Sequence, residues 1–125
     1  MEEISFEQPK SDPKKLILGV PFYGHKFTVS TFGIKAPKVA GTSVPSVSLP
    51  NTTGYGTKWD PASKTPYWEW MAGGVKYQAW YENGESMRIK LAGVKAAGFG
   101  GMGMWKLPWG TEPIWTEIDR YVNGP

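Results

Sequence analysis

The first continuous apolar run in this chain is Lys15-Leu16-Ile17-Leu18-Gly19-Val20, closed by Pro21. A short run of this kind, bounded by turn signals and without polar alternation, suits a strand covered on both faces, as in a parallel sheet. After His25 the texture changes. Phe27-Thr28-Val29 and Val44 to Leu49 carry β-branched residues with partial alternation, punctuated by Gly33, Pro37, Gly41, Pro45, Pro50 and Gly54. This predicts short antiparallel strands and loops. Trp68-Glu69-Trp70 and Val75 to Trp80, around Ala72-Gly73-Gly74, predict a hairpin with a glycine-bearing turn.

Helical periodicity appears only later. Met87, Leu91 and Val94 share one face of a helix predicted over 83–97, with Asn83 as N-cap and Gly98 as terminator. Phe99-Gly100-Gly101-Met102-Gly103-Met104-Trp105 then predicts a second buried strand whose glycines allow close approach of backbone. A last helix is predicted over 112–122, capped by Thr111 and lined by Ile114, Ile118, Tyr121 and Val122. Residues 1–14 read as an irregular lead-in. The order is therefore strand, β-rich insertion, helix, strand, helix. Without the insertion a βαβα unit remains, with parallel strands and a crossover helix. The expected fold class is α+β. In a barrel, the carboxyl ends of strands face the active site, which singles out Phe22 to His25 and Trp105.

Composition narrows the chemistry. With no Cys and a single histidine, His25, neither a disulfide framework nor a multi-His/Cys zinc site can form. No G-x-S-x-G motif supports a Ser-His-Asp triad on His25. The net charge is +3, but the lysines are scattered and no run resembles a nucleic-acid arm. No apolar stretch is long enough to span a bilayer, and no membrane partner is expected. Met1 to Ser11 is polar and acidic and does not read as a signal peptide. Seven Trp and six Tyr are many for 125 residues. Such rings fill cores, but they also stack on the faces of sugar rings.

Four segments together resemble glycoside hydrolase family 18, the chitinases. Lys15 to Gly24 is similar to the family's seventh barrel strand, K-L-(I/V)-L-G-x-P-x-Y-G. Trp59-Asp60 through Pro66-Tyr67 stands where the inserted domain continues. Tyr81-Glu82-Asn83-Gly84-Glu85-Ser86 matches the Y-D-D-x-x-S helix start, and Gly98 to Trp105 matches the eighth strand, G-(L/I)-G-G-x-x-x-W. The resemblance implies the last two βα units of a (β/α)8 barrel at 15–24 and 81–125, with an antiparallel insertion domain at 25–80. A full barrel needs about 250 residues, so the upstream barrel portion would be a missing partner. Trp105-Lys106-Leu107 is closer to the spore-coat and cell-wall branch than to the animal chitinases, which shifts the expected glycan toward peptidoglycan.

The resemblance also implies roles. Trp105 matches the Trp that floors the sugar site at the cleavage point, and Tyr23 matches a Tyr bordering the same subsite. His25 stands where many members carry a substrate-reaching Arg. The bland alternatives are packing for the rings and a solvated surface position for His25. Tyr81 and Glu82 match structural positions, and Trp59, Trp68, Trp70, Trp80, Trp109 and Trp115 read as core or hairpin packing.

The family hydrolyses with help from the substrate's own 2-acetamido oxygen, yet still needs a protein acid for the leaving oxygen. It carries that acid in D-x-x-D-x-D-x-E. This motif is absent here, and no D-x-E triplet occurs. The resulting expectation is an inactive portion of a hydrolase of β-1,4-linked N-acetylglucosamine glycans. It uses no cofactor and no metal, and it self-associates into a homodimer through its unpaired strands. The other readings are a stand-alone carbohydrate-binding module and a structural or assembly domain. The resemblance places the parent outside the cell or in the envelope; the chain itself leaves localisation open.

Overall fold

A computed structural model describes residues 12–45 and 57–124. The lead-in expected at 1–14 and the strand expected to run on to Leu49 lie largely outside the described residues. The fold is α+β, built on two separate sheets.

The smaller sheet pairs β1 (Ile17–Pro21) with β7 (Gly101–Trp105) in parallel, Gly19 opposite Gly103 and Pro21 opposite Trp105. These strands were expected to be covered on both faces, and that is corrected. Leu18, Val20, Met102 and Met104 pack toward the helices, whereas Ile17 and Trp105 are 61% and 65% exposed on the opposite face. The alternation of β-strand side chains makes the difference: only one face has helices to cover it. Gly100 fixes the approach at the start of β7. Its N–H donates to the Leu16 carbonyl at 2.9 Å, and an added Cβ would collide with the Lys14 carbonyl.

The helix α1 (Gly84–Ala97) leads into β7, and α2 (Glu112–Asn123) follows it. Asn83 and Ser86 form a reciprocal capping box, each side chain accepting the other's N–H at 2.9 Å. Gly98 ends α1 at φ 71°, the left-handed conformation that glycine adopts without strain. Met87 and Leu91 of α1, Ile114 of α2, and Val20 and Phe22 make the core of this half.

The larger sheet is antiparallel, in the order β3-β2-β6-β5-β4, from β2 (Tyr23–Val29), β3 (Lys38–Pro45), β4 (Lys58–Asp60), β5 (Thr65–Ala72) and β6 (Val75–Trp80). The β5–β6 hairpin turns on Gly73 and Gly74 at φ 56° and 76°, the pair of positive angles that a two-residue type I′ turn requires. One face carries Tyr67 stacked on Trp80 at 4.5 Å, and the Trp80 indole N–H donates to Gln78 at 2.6 Å. The other carries Trp68, Trp70 and Tyr77, with Lys26 Nζ 4.6 Å from the Tyr77 ring centre.

Phe22 is the hinge between the sheets. Read from the sequence as part of a site-facing strand end, it is instead fully buried against Trp115, the rings edge-on at 5.2 Å. Its N–H donates to the Trp105 carbonyl at 2.7 Å. A single residue thus passes the chain from one sheet to the other.

Candidate functional site

At the carboxyl ends of β1 and β7 lies a cleft of about 350 Å³, lined by Gly19, Val20, Pro21, Tyr23, Gly103, Met104 and Trp105. Its floor is open because two glycines face each other across the parallel pair. A Cβ on Gly19 would meet nothing within 4 Å, and one on Gly103 would meet only Ile17 Cγ2 at 3.7 Å. Trp105 projects from the last position of β7 and is the most exposed aromatic ring of the described residues. The peptide bond that follows it, Trp105–Lys106, is cis. Tyr23 enters from the first position of β2, because Phe22 is held down in the core.

Of the three residues singled out in the sequence, Tyr23 and Trp105 therefore share one cleft. His25 does not line it. It sits two residues along β2, half-buried, with its ring edge-on to Tyr23 at 5.6 Å and stacked on Phe27 at 5.9 Å. Sequence reasoning missed Gly19 and Gly103 as site-forming residues; the signal was present in their matched positions within two apolar runs.

Among the described residues no carboxylate lines the cleft. The buried acidic groups lie elsewhere and are satisfied. Burial opposes ionisation of Glu69, but hydrogen bonds from Lys58 Nζ at 2.7 Å, the Gly33 N–H at 2.7 Å and Gln78 at 3.1 Å outweigh it and hold its pKa below the usual carboxylate range. Asp60 behaves alike: desolvation is overcome by the Ser63 hydroxyl at 2.7 Å and the Ala62 N–H at 3.0 Å. Both are kept as anions, the opposite of what a general acid needs. Glu82 accepts from Ser86 Oγ at 2.6 Å and pairs with Lys90, whose pKa burial pushes down to about 8. This pair anchors the start of α1. Trp68 and Trp80 are buried, and Trp59, Trp70, Trp109 and Trp115 are half-buried, so all six rings pack. Among the described residues no group of His, Cys, Asp or Glu could hold a metal ion.

A chain with a two-stranded parallel sheet, an antiparallel sheet inserted between its strands and an aromatic cleft at their ends has a chitinase-type fold. The family profile of the glycosyl hydrolases family 18 matches residues 3–108, and the chain belongs to that family. Among its relatives, the di-N-acetylchitobiase of Mus musculus is 32% identical over 111 residues, covering 74% of this chain and 30% of that protein. The cortical fragment-lytic enzyme of Bacillus anthracis is 24% identical over 107 residues, covering 85% and 25%. A chitinase-like agglutinin from Robinia pseudoacacia superposes with a TM-score of 0.68 at 26% identity, over 88% of this chain and 33% of the other. The chain thus spans a third or less of the length of these proteins.

Proposed function

We propose that this chain is the portion of a family 18 hydrolase that spans the seventh and eighth strands of a (β/α)8 barrel, and that it shapes the groove for β-1,4-linked N-acetylglucosamine glycans. In this reading β1 and β7 are those strands, residues 15–24 and 81–125 belong to the barrel, and residues 25–80 form the inserted domain. Trp105 floors the sugar site, Tyr23 borders it, and His25 orients Tyr23 by its edge contact. The observation that carries the reading is the glycine-floored cleft with an exposed Trp at the carboxyl ends of two parallel strands, the side on which barrels of this kind act. Chitin and peptidoglycan are the glycan classes that the chitobiase and cortex-lytic relatives suggest.

The chain supplies the platform without the acid. A positioned general acid contributes about 10²–10⁴-fold, so the chain alone should leave chitin oligomers intact. Chromatography of chitin oligomers after incubation, with and without an added polypeptide carrying D-x-x-D-x-D-x-E, tests this. Cleavage only with the added portion is expected. Turnover by the chain alone, abolished by changing one of its own carboxylates, overturns the reading.

A second reading, glycan binding without hydrolysis, is favoured by the likeness to the agglutinin and by the same exposed Trp105. It predicts sugar binding in the same cleft and no cleavage even when the acid-bearing portion is supplied.

A further inference from the structure

The antiparallel sheet has two ends, and only one belongs to the cleft. Tyr23 begins β2 beside the cleft, and Val29 ends it roughly 20 Å away at about 3.3 Å per residue. At that far end Val29 pairs with Lys76, which brings the β5–β6 turn alongside the 30–37 loop. The tip so formed is apolar in a way no core explains. Met71 is 58% exposed and Phe32 43%, Ile34 is exposed on the same loop as Phe32, and Val75 is exposed at the turn on the other face of the hairpin. The same tip is basic. Lys76 Nζ lies 6.0 Å from the Phe32 ring centre and Lys35 is exposed on the loop, while Lys38 Nζ turns back over the sheet, 5.7 Å from the Trp80 ring centre. Residues 26–45 and 70–80 contain no Asp or Glu. The neighbouring carboxylate, Glu69, is turned inward with its side chain 3% exposed, held by Lys58 and the Gly33 N–H.

We infer that this tip docks onto an anionic lipid surface, against the expectation of no membrane partner drawn from the absence of a spanning stretch. Its lysines meet headgroup phosphates, and Phe32, Ile34, Met71 and Val75 enter the boundary between headgroups and acyl chains. Three alternatives fit less well. A soluble polyanion satisfies the lysines but leaves four apolar side chains in water. A second copy brings like charges together. A peptide segment needs a groove, whereas this is a convex turn. Among the described residues no helix is long and apolar enough to cross a membrane, so the contact is peripheral. It holds the cleft at the other end of β2 away from the lipid and open to polymer.

Co-sedimentation of the chain with vesicles of equal parts phosphatidylglycerol and phosphatidylcholine, and with phosphatidylcholine vesicles alone, tests the inference. The chain should pellet with the first and stay in solution with the second, and salt should release it. Each lysine near an anionic surface is worth about fivefold in partitioning, so Lys35→Gln combined with Lys76→Gln should weaken it about twenty-five-fold. Met71→Ser should weaken it several-fold with an unchanged circular dichroism spectrum, and Trp105→Ala should pellet as the parent does. Absence from the phosphatidylglycerol pellet, or equal pelleting with both vesicles, overturns the inference. So does full competition by soluble polyphosphate together with wild-type behaviour of Met71→Ser, which would identify an anionic polymer as the ligand instead.

Discussion

The two sheets of this chain are built from similar residue types but close in different ways. In the antiparallel sheet the strands β2, β6 and β5 are each hydrogen-bonded on both sides, and Trp68, Ala79 and Trp80 are almost wholly removed from water. Among the described residues both strands of the parallel pair are edges. One face is covered by α1 and α2, and the other leaves Ile17, Gly19 and Trp105 exposed. Antiparallel strands need only short turns between neighbours, so this sheet is nearly self-sufficient. The parallel pair joins residues some eighty positions apart and offers its open face and edges as a site. The region that completes itself provides stability, and the region left open provides the candidate chemistry.

Truncations in the two sheets should differ most. Trp80→Ala removes a ring that is 1% exposed, stacked on Tyr67 and hydrogen-bonded to Gln78. A loss of about 3–5 kcal/mol is expected. Ile17→Ala, on the open face of β1, should stay within about 0.5 kcal/mol, as exposed positions do. Urea denaturation of both variants checks this; equal losses would remove the distinction between the sheets.

Acidification should separate them next. Glu69 and Asp60 both stand in the antiparallel sheet with pKa values below their ordinary ones. Their contribution to stability is complete above the unfolded carboxylate range. It is lost as pH falls from that range through the lower folded values, because there the unfolded state takes up protons that the folded one does not. Melting followed from pH 6 downward should show a falling transition that Glu69→Gln makes less steep. An unchanged slope in that variant would count against the Glu69 network.

The open edges give the smallest and most concentration-dependent effect. An unpaired strand is a template for another copy, and a two-fold dimer is the commonest closure. Sedimentation should show association that rises with concentration and that Ile17→Lys reduces. A clean monomer at high concentration would sharpen the comparison the other way, showing that the glycine-rich pair tolerates water on its open side.

Much of this contrast was legible in the sequence, and for identifiable reasons. The α1 boundaries follow from Asn83 and Gly98, whose capping chemistry is local. The hairpin turn follows from Gly73-Gly74, since few other residues accept two positive φ angles. The shared cleft of Tyr23 and Trp105 follows from their places at strand ends. What the sequence hid is tertiary. Phe22 reads as a strand residue like its neighbours, yet it is buried because the chain changes sheets there. The strands 17–21 and 101–105 read as covered on both faces because an apolar run carries no mark of how many neighbours it will find. The exposed tip of Met71 and Phe32 was invisible for the same reason. Its residues become neighbours only through the pairing of β2 with β6.

The central claim is that the open sheet end is a sugar platform built on Trp105 and Tyr23. Titration of the chain and of Trp105→Ala with N-acetylglucosamine oligomers, followed by Trp fluorescence and by calorimetry, tests it most directly. For a platform of two rings, the account predicts binding no tighter than about millimolar, about −4 kcal/mol. The variant should lose about 0.5–1.5 kcal/mol of ring stacking beyond the buried area, a further weakening of about two- to tenfold. Binding of equal strength by Trp105→Ala would contradict the claim and move the sugar site away from this cleft.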